Sequence, residues 1–180
     1  MFRLIKLIRG KLNYWNRKID LFEGNQNFDI VDNPSISYFE SNNISNQFIP
    51  INQNNLEEYK NRFLKGHLFC GLINNDSVLV AYGWINTSET HFLGELNLKM
   101  ILPNNTAVLY DFFTFETFRG HGLYSYLLKC ICARDRKRKI IYALSDNKAS
   151  CKGILKADFR CLGTISGFTK NNYFKMINNK

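Results

Sequence analysis

The segment Val108-Leu109-Tyr110-Asp111-Phe112-Phe113-Thr114-Phe115-Glu116-Thr117-Phe118-Arg119-Gly120-His121-Gly122-Leu123-Tyr124 reads as an apolar strand that runs through a short connector and a glycine-bearing loop directly into a helix. That order suits an anion. Glycines let the backbone come close to a ligand, and the unpaired N–H groups of a first helical turn, at the positive end of the helix dipole, can hold a phosphate or pyrophosphate. Arg119 adds a cation at the same place. Two common phosphate loops are excluded: there is no Gly-Lys-Ser or Gly-Lys-Thr, and Ser125 stands where the dinucleotide fingerprint Gly-x-Gly-x-x-Gly needs its third glycine.

Working outward, residues 68–73 and 78–85 are apolar runs joined by Asn74-Asn75-Asp76-Ser77, a turn of residues that tolerate tight backbone angles, and they predict a hairpin. Before it stand a short strand at 47–51 and a polar stop at 52–55 that caps a helix through residue 64. Residues 91–102 add a less regular strand, ended by Pro103-Asn104-Asn105. Beyond the quoted strand come a helix at 120–134, a strand at 139–144, a helix at 147–157, and closing strands at 159–168 and 173–177. A hairpin followed by β-α-β-α-β predicts an α/β fold with a mixed central sheet flanked by helices.

The first 43 residues read differently. Ile5, Ile8, Leu12, Trp15, Ile19 and Phe22 recur at spacings of three and four, drawing one apolar stripe along a helix whose other faces are basic. This amphipathic helix is expected to pack on the rest of the protein or on a second subunit in a homodimer, or to dock through residues 1–22 at an anionic membrane surface or a partner enzyme. A connector with one strand-like run at 36–39 follows, which divides the chain into 1–43 and a domain at 44–180. The basic residues in Met1 to Phe22 break any apolar stretch of the roughly 20 residues a membrane span needs, and the segment lacks the continuous apolar core and small-residue cleavage site of a signal peptide.

Composition narrows the partners. With 180 residues, 45% hydrophobic and 14% aromatic, the chain fills one sizeable core and is neither a disordered tail nor a low-complexity polymer. Twenty-four Lys and Arg against fifteen Asp and Glu give +9, a field that favours anionic partners. The densest basic run, Arg134, Arg136, Lys137, Arg138 and Lys139, is read as a solvated helix end rather than a nucleic-acid surface. Five cysteines, Cys70, Cys130, Cys132, Cys151 and Cys161, form no CxxC pair and mostly lie in apolar runs, as expected of reduced thiols in a cytoplasmic protein without a metal site.

The loop resembles the acyl-CoA binding motif of the GNAT N-acetyltransferase superfamily, Arg or Gln, two residues, Gly, one residue, then Gly or Ala; here it reads Arg119-Gly120-His121-Gly122-Leu123-Tyr124, with Tyr124 departing from the last position. A second stretch, Asp146-Asn147-Lys148-Ala149-Ser150 through Ile154-Leu155-Lys156-Ala157-Asp158-Phe159, is similar to the family's later signature, Asn-x-x-Ser or Ala leading to Lys-x-Gly-Phe, with Asp158 in place of the glycine. The element order agrees from about residue 46 onward.

The resemblance implies transfer of an acetyl group from acetyl-CoA to a primary amine by direct attack. It places the pyrophosphate on the amides of Arg119, Gly120, His121, Gly122, Leu123 and Tyr124, the pantetheine along Phe113, Thr114 and Phe115, and an N–H near Thr114 on the thioester carbonyl. Asn147 matches a cofactor-contacting position and reads equally well as a helix N-cap. Asp111, a lone charge in an apolar strand, is the expected general base, its pKa raised by those surroundings, with Glu116 in reserve. Ile154 stands where the family often carries a tyrosine that protonates the leaving thiolate, so Tyr124, Tyr126 and Tyr173 are the substitutes to consider. Tyr82, Trp84 and His91, with Phe92, are expected to form the acceptor wall. The implied acceptor is a small molecule such as a nucleotide-linked amino sugar; a peptide amine, or an inert module that binds CoA or a partner, are the alternatives.

Overall fold

The computed structural model describes residues 17–24, 33–134, 136–166 and the backbone of 173–175. Its elements in chain order are β1 (Lys18–Gly24), β2 (Ile36–Ser41), α1 (Leu56–Leu64), β3 (Leu68–Asn74), β4 (Leu79–Asn86), β5 (Thr90–Leu93), β6 (Leu98–Ile101), β7 (Thr106–Thr114), a 3₁₀ turn (Glu116–Phe118), α2 (Leu123–Arg134), β8 (Arg138–Leu144), α3 (Lys148–Lys156), β9 (Phe159–Ser166) and β10 (Tyr173–Lys175). Seven strands form one sheet in the order β2-β3-β4-β7-β8-β1-β9, and three form a second in the order β10-β6-β5. In the large sheet β7 and β8 run parallel, joined across α2, and the other neighbours are antiparallel.

Helices α2 and α3 cover one face, where Leu127, Leu128, Ile131 and Ile154 pack on Leu72, Leu109 and Ile141. The opposite face is covered in two separate pieces. Over β3 and β4, α1 presses Tyr59 against Trp84 and Phe69. Over β7, β8 and β1, the β5–β6 hairpin lays Leu93, Leu98 and Met100 on Ile19, Val108 and Ile140. Each such side chain withdrawn from water contributes about 1.5–3 kcal/mol. The gap between the two pieces becomes a cleft.

The expected amphipathic helix lies outside the described residues over positions 1–16, but its C-terminal part is corrected: Ile19 and Phe22 belong to β1, which inserts between β8 and β9. Residues three apart on a strand face opposite sides, and here both sides are covered, Ile19 by the hairpin layer and Phe22 by the helical layer. A strand buried on both faces therefore mimics the helical spacing. The sheet draws strands from both sides of the residue-43 division. Residues 47–51 form turns instead of a strand, because the Asn46 side chain accepts from the Phe48 N–H. The basic run is a solvated helix end only at its start: α2 ends on exposed Arg134, whereas Arg138 begins β8 and pairs with Glu23, and Lys139 is buried.

Two local features of β7 position the site. Opposite the single residue Gly83 of β4, β7 carries two, Asp111 and Phe112, a bulge in which Asp111 adopts φ +54°. Gly83 is required there, since a Cβ would lie 2.4 Å from the Phe112 ring. Next, the parallel pairing of β7 with β8 runs only from Thr106↔Arg138 to Leu109↔Ile141, so the strands part just before the bulge.

Because Ile19 is fully buried in β1, Ile19→Ala is expected to cost about 2–5 kcal/mol in chemical denaturation; a near-neutral effect would contradict the placement of β1 inside the sheet.

Candidate functional site

The end of β7 serves two recesses. Phe115 donates its N–H to the Val80 carbonyl of β4 at 3.1 Å, and successive strand amides alternate sides, so the Thr114 N–H points away from β4, toward the gap that β8 has left. After the 3₁₀ turn, Gly120 and Gly122 take φ +84° and +75°, values that favour glycine. The Tyr126 N–H makes the first helical bond, to Gly122 at 3.0 Å, which leaves the first-turn amides before it without intrahelical acceptors. These amides face a recess of about 380 Å³ lined by Thr114, Arg119, Gly120, Gly122, Lys152 and Lys156. The Lys156 ammonium lies 3.7 Å from where a Cβ of residue 122 would stand, and the Arg119 Nε donates to the Thr114 carbonyl at 3.1 Å. Orphan amides and three cations around one small recess fit a diphosphate.

Both departures from the signatures find a physical account. The Tyr124 ring is directed onto α3, where residue 153 is glycine and a Cβ would lie 2.5 Å from the ring; its hydroxyl is 3.3 Å from the Ser150 Oγ. The bulk expected to crowd the loop is taken up by α3. Asp158 has φ +61°, so the left-handed position is retained and held by an aspartate that pairs with Lys129 at 3.0 Å. Asn147 is the N-cap of α3, accepting from the Ser150 N–H at 3.1 Å. His121 is exposed and donates from Nδ1 to the Phe118 carbonyl, Leu123 is turned into the core, and Ile154 is fully buried. Phe113 lies under Arg119 at 5.6 Å and against Phe115 at 5.3 Å.

On the other side of β7 lies an open cleft of about 1190 Å³, walled by α1 and the β5–β6 hairpin and floored by Tyr110, Asp111 and Tyr142. Asp111 is not in apolar surroundings: its side chain is 55% exposed, and Arg62 donates to its carboxylate at 2.7 Å while also pairing with Glu58. The Arg62 guanidinium is stacked over Trp84 at 4.8 Å and Tyr110 at 5.1 Å. His67 Nδ1 is 2.6 Å from the Tyr110 hydroxyl. Asn86 Nδ2 donates to His91 Nδ1 at 3.1 Å, so the His91 proton sits on Nε2 and is donated to the Tyr142 hydroxyl at 3.1 Å. Burial, then Arg62 and Lys65, pushes His67 down to about 4; burial, then His67 and Arg62, does the same to His91.

Of the expected acceptor wall, only His91 and Phe92 line this cleft. Trp84 is corrected to a core residue, 0% exposed beneath α1, and Tyr82 stacks on Phe69 at 5.4 Å. Arg62, His67, Tyr110 and Tyr142 were not anticipated, and neither were Lys152 and Lys156. The two lysines had a signal, an i,i+4 spacing with Lys148 that sets all three on one helical face. Arg62 and His67 had none, since 49 and 43 residues separate them from their partners Asp111 and Tyr110.

No family model matches the sequence, and no curated protein sequence does. Solved structures do match the fold. An acetyltransferase of the GNAT family from Colwellia psychrerythraea superposes with a TM-score of 0.58 at 16% identity, covering 82% of this chain and 53% of that one. A GNAT-family protein from Novosphingobium aromaticivorans gives 0.51 at 13%, covering 82% and 61%, and a tandem GNAT protein from the clavulanic acid biosynthesis pathway gives 0.50 at 8%, covering 86% and 55%. The fold is therefore that of the GNAT acetyltransferases. The chain spans between 53% and 61% of the length of these three structures.

The two histidines predict a pH dependence. Their native pKa values lie below the ordinary 6.5, so between about 6.5 and 4 the unfolded chain binds protons that the native state refuses, and stability present above that window is lost as pH falls through it. Asp20, held low by the Thr164 and Ser145 hydroxyls, and Glu23, where Arg160 and Arg138 outweigh burial, act in the same direction, their stabilisation being lost as falling pH protonates them. The urea midpoint should fall between about pH 7 and pH 5, and fall less steeply in His91→Gln.

Proposed function

We propose that the protein is an acetyl-CoA-dependent N-acetyltransferase acting on a primary amine of a small molecule. The observation that carries this reading is that one strand, β7, reaches both recesses: Thr114 lines the amide-rich one and Tyr110 and Asp111 line the open cleft, with the parting from β8 between them. When bound, acetyl-CoA supplies an activated acyl group as a thioester. The loop amides, Lys152 and Lys156 bind its diphosphate, and residues Phe113 to Phe115 border the path of its pantetheine arm. The Thr114 N–H is directed to where negative charge develops on the carbonyl oxygen. Asp111, exposed to the cleft and steadied by Arg62, holds the incoming ammonium. Direct attack on a thioester needs no covalent enzyme intermediate, and nothing in this assignment requires a nucleophilic side chain.

A second reading, a module that binds CoA without turnover, is favoured by one observation: Ile154, where the family often carries a tyrosine, is sealed in the core. Thiol release from acetyl-CoA over a panel of nucleotide-linked amino sugars, polyamines and peptides separates the two. Release with a small amine is the expected outcome; reaction of peptides alone contradicts the small-molecule acceptor, and CoA binding without any release favours the inert module.

Asp111→Asn should raise the KM for the amine with little change in CoA affinity. Lys156→Ala should weaken CoA binding about tenfold by calorimetry, or about 1.4 kcal/mol.

A further inference from the structure

Tyr110 is the first residue of β7 beyond its last pair with β8, and it immediately precedes the bulge. Its hydroxyl stands on the cleft side of the parting, 2.6 Å from Nδ1 of His67, in the turn between α1 and β3. Both residues line the cleft. The neighbouring His91–Tyr142 pair is committed otherwise, since Asn86 occupies one ring nitrogen of His91 and Tyr142 the other. The charged and titratable groups that share the cleft with His67 are Glu58 and Arg62 from α1, Lys65 just after it, Asp111 from β7, His91 from β5, Glu95 from the β5–β6 turn and Tyr142 from β8. Two of the carboxylates lining the cleft, Glu58 and Asp111, are engaged by Arg62.

Resting on the acyl-transfer reading, we propose that Tyr110 is the catalytic proton-transfer residue of this site and that His67 is the positioning residue behind it, accepting the tyrosyl proton at Nδ1. As the amine nitrogen forms its bond to the carbonyl carbon, one N–H proton passes to Tyr110 Oη while the tyrosyl proton passes to His67. The C–S bond breaks with its electron pair going to sulfur, and the proton returns from His67 through Tyr110 to that sulfur. The products are an amide and a thiol; the proton that the ammonium shed before attack has gone to solvent.

Burial, then Arg62 and Lys65, keeps His67 uncharged, so Nδ1 offers a lone pair to the tyrosyl O–H at neutral pH. Burial also pushes the Tyr110 hydroxyl up, so the proton rests on His67 only transiently during turnover. An imidazolium formed there releases its proton readily to a thiolate, whose ordinary pKa is about 8.5. Tyr110 thereby fills the role that Ile154, enclosed in the core, leaves vacant.

The test uses the full chain, acetyl-CoA and whichever amine of the panel above the wild type turns over fastest. Tyr110→Phe should lower kcat about 100-fold, with both KM values within about threefold of wild type and CoA binding unchanged. His67→Ala should fall comparably, the double variant no further than Tyr110→Phe alone. Added imidazole should restore His67→Ala by about tenfold or more and leave Tyr110→Phe unimproved. Independently of turnover, two-bond ¹H–¹⁵N correlation should show the His67 proton on Nε2. Retention of more than about a third of kcat by Tyr110→Phe, or a proton on Nδ1 of His67, overturns the proposal while leaving the transferase reading in place. A wild type that binds acetyl-CoA and acetylates no amine overturns both.

Discussion

The parting of β7 from β8 is the constraint on which the site depends. Parallel strands normally keep their hydrogen bonds to the end, and amides left unpaired inside a protein are costly. Here pairing stops at Leu109↔Ile141, and the strand immediately bulges at Asp111 and Phe112. The bulge re-aims everything beyond it. Phe112 is carried onto Gly83 and toward Tyr124, Asp111 is turned out toward Arg62, and the Thr114 amide is left facing the gap. Without the parting those amides would be absorbed into a ladder, and the glycine loop would be an ordinary crossover into α2.

What covers the sheet determines what can reach that gap. On the helical side, α2 and α3 pack together beside the small recess bordered by Arg119, Lys152 and Lys156. On the other side, α1 and the β5–β6 hairpin are anchored by separate apolar clusters, one around Trp84 and one around Met100, which hold them apart. The cleft is thus a consequence of two cores rather than of a missing one. Arg62 spans the nearer wall: three aromatic rings lie within 5.6 Å of its guanidinium, and two carboxylates satisfy its charge. A guanidinium held in this way orders Glu58 and Asp111 at the cleft and keeps positive potential on His67, which adds to burial, the larger cause, in holding that imidazole neutral.

Much of this was legible in the sequence, and the limits have physical causes. The strand, glycine loop and helix from Val108 to Arg134 could be read because each link is local: an apolar run, two glycines at positive φ, and an apolar helix. The β3–β4 hairpin was legible for the same reason. Local pattern failed where burial comes from two directions at once. Ile19 and Phe22 fit a helical stripe and lie on opposite faces of a central strand. Trp84, expected in the acceptor wall, is covered by Tyr59 and Phe63 of α1, a contact no local pattern announces. The constellation of Arg62, His67, Tyr110 and Asp111 spans 49 residues and exists only because the sheet brings β3, β4 and β7 side by side, so no spacing rule could have revealed it.

The mismatches at Tyr124 and Asp158 show why a signature and a constraint are different things. The loop needs its amides uncrowded, which a small residue at 124 achieves directly; here the same end is reached by a large ring that finds its space at Gly153, one helix away. The turn after α3 needs a left-handed residue, which glycine adopts without strain; here Asp158 adopts it, and its carboxylate is held by Lys129 from α2. In both cases the compensating residue lies on the partner helix, so the two signatures are coupled through the α2–α3 contact. A pattern that scores positions one at a time counts two defects in this chain, whereas the packed pair of helices contains none.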